Sequence, residues 1–105
     1  MKYNFCVVLV TLDGEPMTES FVDKDNKPQT RDITVGRLVA SQLASSNDPD
    51  PLKMMSLAKK MYHSTEPIEL DESDKKKIEI FIEENKQLVN LVRAQALHVL
   101  SNPIK

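Results

Sequence analysis

A chain of 105 residues, 40% hydrophobic and 29% charged, fits one domain; it is too apolar for a disordered tail and too short for a second core. Its net charge of −2 is unevenly spread: Asp13 to Asp32 holds six acids against three bases, Glu66 to Glu84 eight against three, and from Asn85 onward there are three bases and no acid. Three bases over that length fall well short of a nucleic-acid footprint, and the single Cys6 excludes an internal disulfide.

With two Tyr, three Phe and no Trp, the core is expected to be built mainly from Leu, Ile, Val and Met. Tyr3 to Leu12 is rich in β-formers, and both of its alternating sets are apolar, which predicts a strand covered on both faces. Lys2 followed by Phe5 to Val10 mimics a short signal peptide, but the run leads into Asp13-Gly14-Glu15-Pro16 rather than a small-residue cleavage site. A buried strand is the reading adopted. No run approaches the roughly 18–20 apolar residues of a membrane span, so a cytoplasmic address is expected. Asp13-Gly14 signals a reverse turn, and Met17 to Val22 is predicted to return as the second arm, giving a β-hairpin over about 3–22.

Asp23 to Thr30 reads as a polar loop. A calcium-binding loop starting at Asp23 needs Gly at its sixth position and Glu at its twelfth, where this chain has Pro28 and Thr34. Thr34 is then a suitable N-cap for a helix over about 35–45, with Val35, Leu38, Val39, Gln42 and Leu43 on one face. After the break at Ser45 to Pro49, Asp50 caps a second helix over 51–62, opened by Pro51, where a missing N–H costs nothing. Leu52, Met55, Ala58 and Met61 or Tyr62 are its predicted inner stripe, and its methionines read as core filler rather than an adaptable binding groove. His63 suits the negative helix end but has no partner at metal-ligand spacing, so no metal is expected.

Glu66 to Leu70 is extended, either a short strand or a strap. Asp71 caps a helix over 72–84 that presents Ile78, Phe81 and Ile82. Ending that helix at Glu84 sets Glu83 and Glu84 at the negative end of the dipole, whereas continuing it to Leu100 makes a rod about 43 Å long, too long for a lone compact domain. A break near Asn85 is therefore preferred, with a last helix over about 87–100. From Leu88 to Leu100, nine of thirteen residues are apolar, far more than one core-facing stripe requires. Such a helix must be covered on two sides, by its own domain or by another chain. The inference drawn is a homodimer, with Leu88, Leu91, Val92, Gln95 and Val99 as its interface.

Chemistry-bearing motifs are missing. The only glycines are Gly14 and Gly36, too few for a phosphate-cradling or dinucleotide loop, so no cofactor is expected. Cys6 falls in the buried strand, and nothing in the sequence favours its meeting His98 and a carboxylate as a triad. Lys75-Lys76-Lys77 is flanked by Asp71, Glu72, Asp74 and Glu79, which cancel its field, and no aromatic residues interleave it for base stacking. No catalytic residues are assigned.

Leu12-Asp13-Gly14-Glu15-Pro16, then Ile33-Thr34-Val35-Gly36-Arg37-Leu38, Leu57-Ala58-Lys59-Lys60-Met61-Tyr62 and Ile68-Glu69-Leu70-Asp71, form an order that resembles small uncharacterised bacteriophage proteins. The likeness covers most of the chain as a pattern of helix openings and carries no catalytic residue. It implies a role in an infected bacterial cytoplasm, in virion assembly or in blocking a host system. The combined expectation is an α+β domain, an N-terminal β-hairpin packed against three or four helices, acting as a non-enzymatic, self-associating interaction module. An inhibitor of a host protein ranks next, a nucleic-acid accessory protein after it, and an enzyme last.

Overall fold

The computed structural model describes residues 1–104 and has the expected α+β class. Its elements are β1 (Lys2–Tyr3), β2 (Thr18–Val22), β3 (Pro28–Asp32), α1 (Val35–Ala44), α2 (Pro51–Tyr62), β4 (Ile68–Glu69), α3 (Glu72–Glu84) and α4 (Asn90–Ser101). β1 pairs antiparallel with β4, and β2 with β3, as two separate two-stranded sheets. α1 packs against α2 and α4, and α3 against α4, around a core that includes Phe5, Leu9, Val39, Leu43, Met61, Ile78, Ile82 and Leu100.

The regular hairpin differs from the one expected over about 3–22. Its arms are β2 and β3, so part of the segment read as a polar loop is a strand. Turn chemistry explains the difference. Asp23 accepts the N–H groups of Asp25 (2.9 Å) and Lys27 (3.0 Å), the Asn26 N–H returns to the Asp23 carbonyl, and Asn26 supplies the left-handed residue at φ 60°. Across the strands, Glu19 and Arg31 face each other in register. Arg31 Nε donates to Glu19 at 2.7 Å, its guanidinium lies over the Phe21 ring, and Nη2 reaches the Tyr62 hydroxyl at the end of α2.

Tyr3 to Leu12 does not form one continuous strand; it runs through the molecule as an irregular strap. Phe5 and Leu9 are fully buried, and the chain reverses at Gly14 (φ 82°) as Asp13-Gly14 predicts, with the Thr11 N–H donating to Glu15 and the Met17 N–H to Leu9. Three chain segments meet at a ring of backbone bonds, each 2.8 Å. Leu9 donates to Ile33, Ile33 to Met17, and Met17 back to Leu9. Further along, the Val35 and Gly36 N–H groups donate to Val7 and Phe5. The strap can lie this close to α1 because residue 36 is glycine: a Cβ there would stand 2.6 Å from the Met61 carbonyl oxygen and 3.0 Å from the Phe5 side chain.

Each of the first three helices opens on the expected cap. Thr34 accepts from Arg37 N–H, Asp50 from Lys53 N–H and Asp71 from Asp74 N–H. The face of α2 is corrected: Met54, Leu57, Ala58 and Met61 are buried, while Leu52 is 85% exposed and Met55 lies at the surface. Both stripes have helical spacing, but only the buried one runs the length of the helix against α1. Lys53 stands 2.7 Å from Asp74, joining the starts of α2 and α3.

The break between α3 and α4 falls where the sequence preferred it. Asn85 leaves the helix in an extended conformation and accepts the Gln87 N–H on its side chain. The dipole conflict at Glu83 and Glu84 is met from α4, because Arg93 donates to the Glu83 carbonyl at 3.1 Å. The long axis of the molecule is 40 Å, shorter than the continuous rod of about 43 Å that an unbroken helix would make. No helix among the described residues is long and apolar enough to cross a membrane.

Candidate functional site

The nearly all-apolar character of α4 has an internal explanation. Val92, Ala96, Val99 and Leu100 face the core, as does Leu88 just before the helix. The second side is covered by the strap. Gln95 turns its carboxamide onto Val10, accepting the Val10 N–H at 2.9 Å and donating to the Val10 carbonyl at 2.8 Å, while its Nε2 also reaches the Leu91 carbonyl.

This placement corrects the interface expected for these residues. Leu88 and Val92 are only 3% and 5% exposed within their own chain, so a second copy cannot reach their side chains. Leu91 and Gln95 are half-buried, with Gln95 occupied by Val10. Val99, although buried, and Gln95 border an open surface feature. The chain itself covers this helix on two sides, with its core along one face and with the strap at Val10.

That surface feature is a groove of about 650 Å³ between the strap and α4. Its apolar wall comes from Val7, Val8 and Val10 on one side and from Ala94, Val99 and Ile104 on the other. The groove is tied at both ends. Gln95 clamps Val10 at one, and the Ile104 N–H donates to the Lys2 carbonyl at 2.8 Å at the other. Asn4, His98 and Asn102 add polar groups, and no Asp, Glu, Lys or Arg among the described residues contributes to the lining. A mainly apolar concavity with few polar groups is the usual form of a binding site.

Val8 gives the groove its distinctive chemistry. Leu9 directs its N–H and C=O toward Ile33 and Met17, whereas Val10 directs both of its groups the opposite way, to Gln95. Alternation along an extended chain turns the Val8 N–H and C=O to the same side as those of Val10, and its bridge to Thr34 is of the kind that leaves them pointing away from the partner strand. No described residue makes a hydrogen bond to either Val8 group. Among the described residues, the strap therefore shows an unpaired N–H and C=O at Val8 to the groove.

The other candidates raised by the sequence are placed apart from one another. The Cys6 thiol donates to the Ser64 carbonyl at 3.3 Å, while His98 Nδ1 lies 3.2 Å from the Asn102 amide, so neither has the other for a partner. Among the described residues, no three His, Cys, Asp or Glu side chains gather as metal ligands. Lys75 and Lys76 both pair with Glu79, at 3.0 and 3.5 Å; the Lys75 hydrogen bond raises the lysine and lowers the glutamate from their ordinary pKa values. The groove was missed at sequence level because its walls are some 85 residues apart in the chain. The one available signal was Gln95, a long uncharged polar residue on a mainly apolar helix. Comparison of the chain with protein-family models, with curated proteins and with solved structures gives no match.

Proposed function

We propose that this protein is a non-enzymatic interaction module that works by seating part of a protein partner in the groove between the Asn4–Val10 strap and α4. The observation that carries this reading is an apolar, uncharged groove on a chain whose surface is otherwise rich in charge. Nucleic acid ranks behind a protein partner, since two of the three clustered lysines share one carboxylate and no Lys or Arg among the described residues lines the groove. The resemblance to small phage proteins supports an infected bacterial cytoplasm as the setting, with a host or virion protein as the partner.

A second reading, self-association, is favoured by Leu12. It stands 93% exposed on the turn beside the strap, an apolar knob of a size that suits the groove of another copy. Light scattering over a concentration series, together with capture from bacterial lysate, separates the two. A partner caught by the native chain and lost with Ala94→Arg, while the mass stays monomeric, supports the first reading. Growth of the mass with concentration that Leu12→Asp abolishes supports the second. A strict monomer whose captured proteins are unchanged by Ala94→Arg contradicts both.

A further inference from the structure

We infer that the groove accepts its partner as a short, extended, uncharged peptide segment whose main chain pairs with the free N–H and C=O of Val8. The inference rests on the groove reading above and goes beyond it by specifying the chemistry of the occupant.

The neighbouring position already carries the pattern. At Val10 the carboxamide of Gln95 does what one residue of an adjacent strand does, accepting the N–H and donating to the C=O. Val8 lies two residues away on the same edge, about 7 Å along an extended chain, and its pair of groups has no partner among the described residues. An amide seated in the groove therefore finds the same acceptor and donor that Gln95 finds one repeat further on. Addition of a strand to an open edge is a general mode of peptide recognition, in which the main chain supplies affinity and the alternating side chains supply specificity.

The walls set the composition of the segment. With no Asp, Glu, Lys or Arg among the described residues of the lining, a charged side chain entering the groove loses water and meets no counter-charge from them. Apolar and β-branched side chains fit Val7, Ala94, Val99 and Ile104 and favour the extended conformation that the pairing requires. The ties at Gln95–Val10 and Ile104–Lys2 close the groove at both ends, so only a few residues enter and the segment leaves through the open side.

The test is a selection of random seven-residue peptides against the native chain, with the Ala94→Arg variant as counter-selection. Ala94 is exposed, so the arginine fills the groove without disturbing the core. Enriched peptides should share an uncharged, apolar or β-branched run of three or more residues and should not bind the variant. The strongest binder is then resynthesised with both ends capped and each peptide nitrogen methylated in turn. One methylated position should weaken binding about tenfold or more, since it removes the hydrogen that Val8 accepts. Enriched peptides that tolerate methylation everywhere overturn the strand-pairing inference and leave the groove reading intact. Failure to enrich any peptide over Ala94→Arg overturns both.

Discussion

The β2–β3 hairpin and the Asn4–Val10 strap divide two properties that usually occur together in a strand. The hairpin has a five-pair antiparallel register from Thr18–Asp32 to Val22–Pro28, yet it buries none of its side chains fully. The strap makes only isolated bridges, yet Phe5 and Leu9 are wholly buried within it. Regular pairing follows turn chemistry and cross-strand contacts; burial follows apolar content. A polar segment with a good turn becomes a ladder at the surface, and an apolar one without a matching partner threads the core. The strap then satisfies part of its backbone from several directions, and both backbone groups of Val8 are left without a partner among the described residues.

Breaking the strap should have the largest effect. Phe5→Ala removes a fully buried ring and is expected to destabilise the whole domain by about 3–5 kcal/mol, seen as a lower midpoint in urea for every probe. Gln95→Ala should cost about 1–3 kcal/mol, because it strands the N–H and C=O of Val10 beside α4; amide exchange at Val10 should accelerate more than at the core of α1. In the hairpin, Asn26→Val forces a β-branched residue into the left-handed region, at about 1–2 kcal/mol. That loss should appear as faster exchange in β2 and β3 with little change in the global midpoint, the reverse of the Phe5 result.

Two smaller effects sharpen the contrast. α4, which forms one wall of the groove, opens at Val89 with no side-chain cap, and Val89 is exposed. Val89→Asp should stabilise the domain by about 1 kcal/mol, measured by thermal unfolding. The hairpin should also respond to acid. Asp23 is held below the ordinary carboxylate range, chiefly by the Lys27 N–H, with added hydrogen bonds from Gln29 and the Asp25 N–H. A carboxyl lowered on folding stabilises the fold above its unfolded pKa, and that contribution is lost as the pH falls through the lowered value. Chemical shifts of β2 and β3 should therefore move in acid ahead of those of the strap, and Asp23→Asn should remove that step.

Much of the fold was legible in the sequence because its signals are local. Thr34, Asp50 and Asp71 each mark a helix start by their own side chains, and Asp13-Gly14 marks a turn that forms. The strap was harder, since β-forming residues describe what is comfortable in an extended chain and leave open which backbone lies beside it. The face of α2 was misread because Leu52–Met55 and Met54–Leu57–Met61 both have helical spacing, and the choice depends on where α1 lies. Cover for α4 was correctly required, but its source lay about 85 residues away at Val10, out of reach of any local pattern. The groove is a product of that same long-range contact.

An open strand position at Val8 held beside the clamped Val10 leaves a signature in amide hydrogen exchange of the native chain resolved residue by residue. The expected result is protection at Leu9 and Val10, with Val8 between Val7 and Leu9 exchanging quickly. Protection of Val8 equal to that of Leu9 and Val10 would overturn this reading.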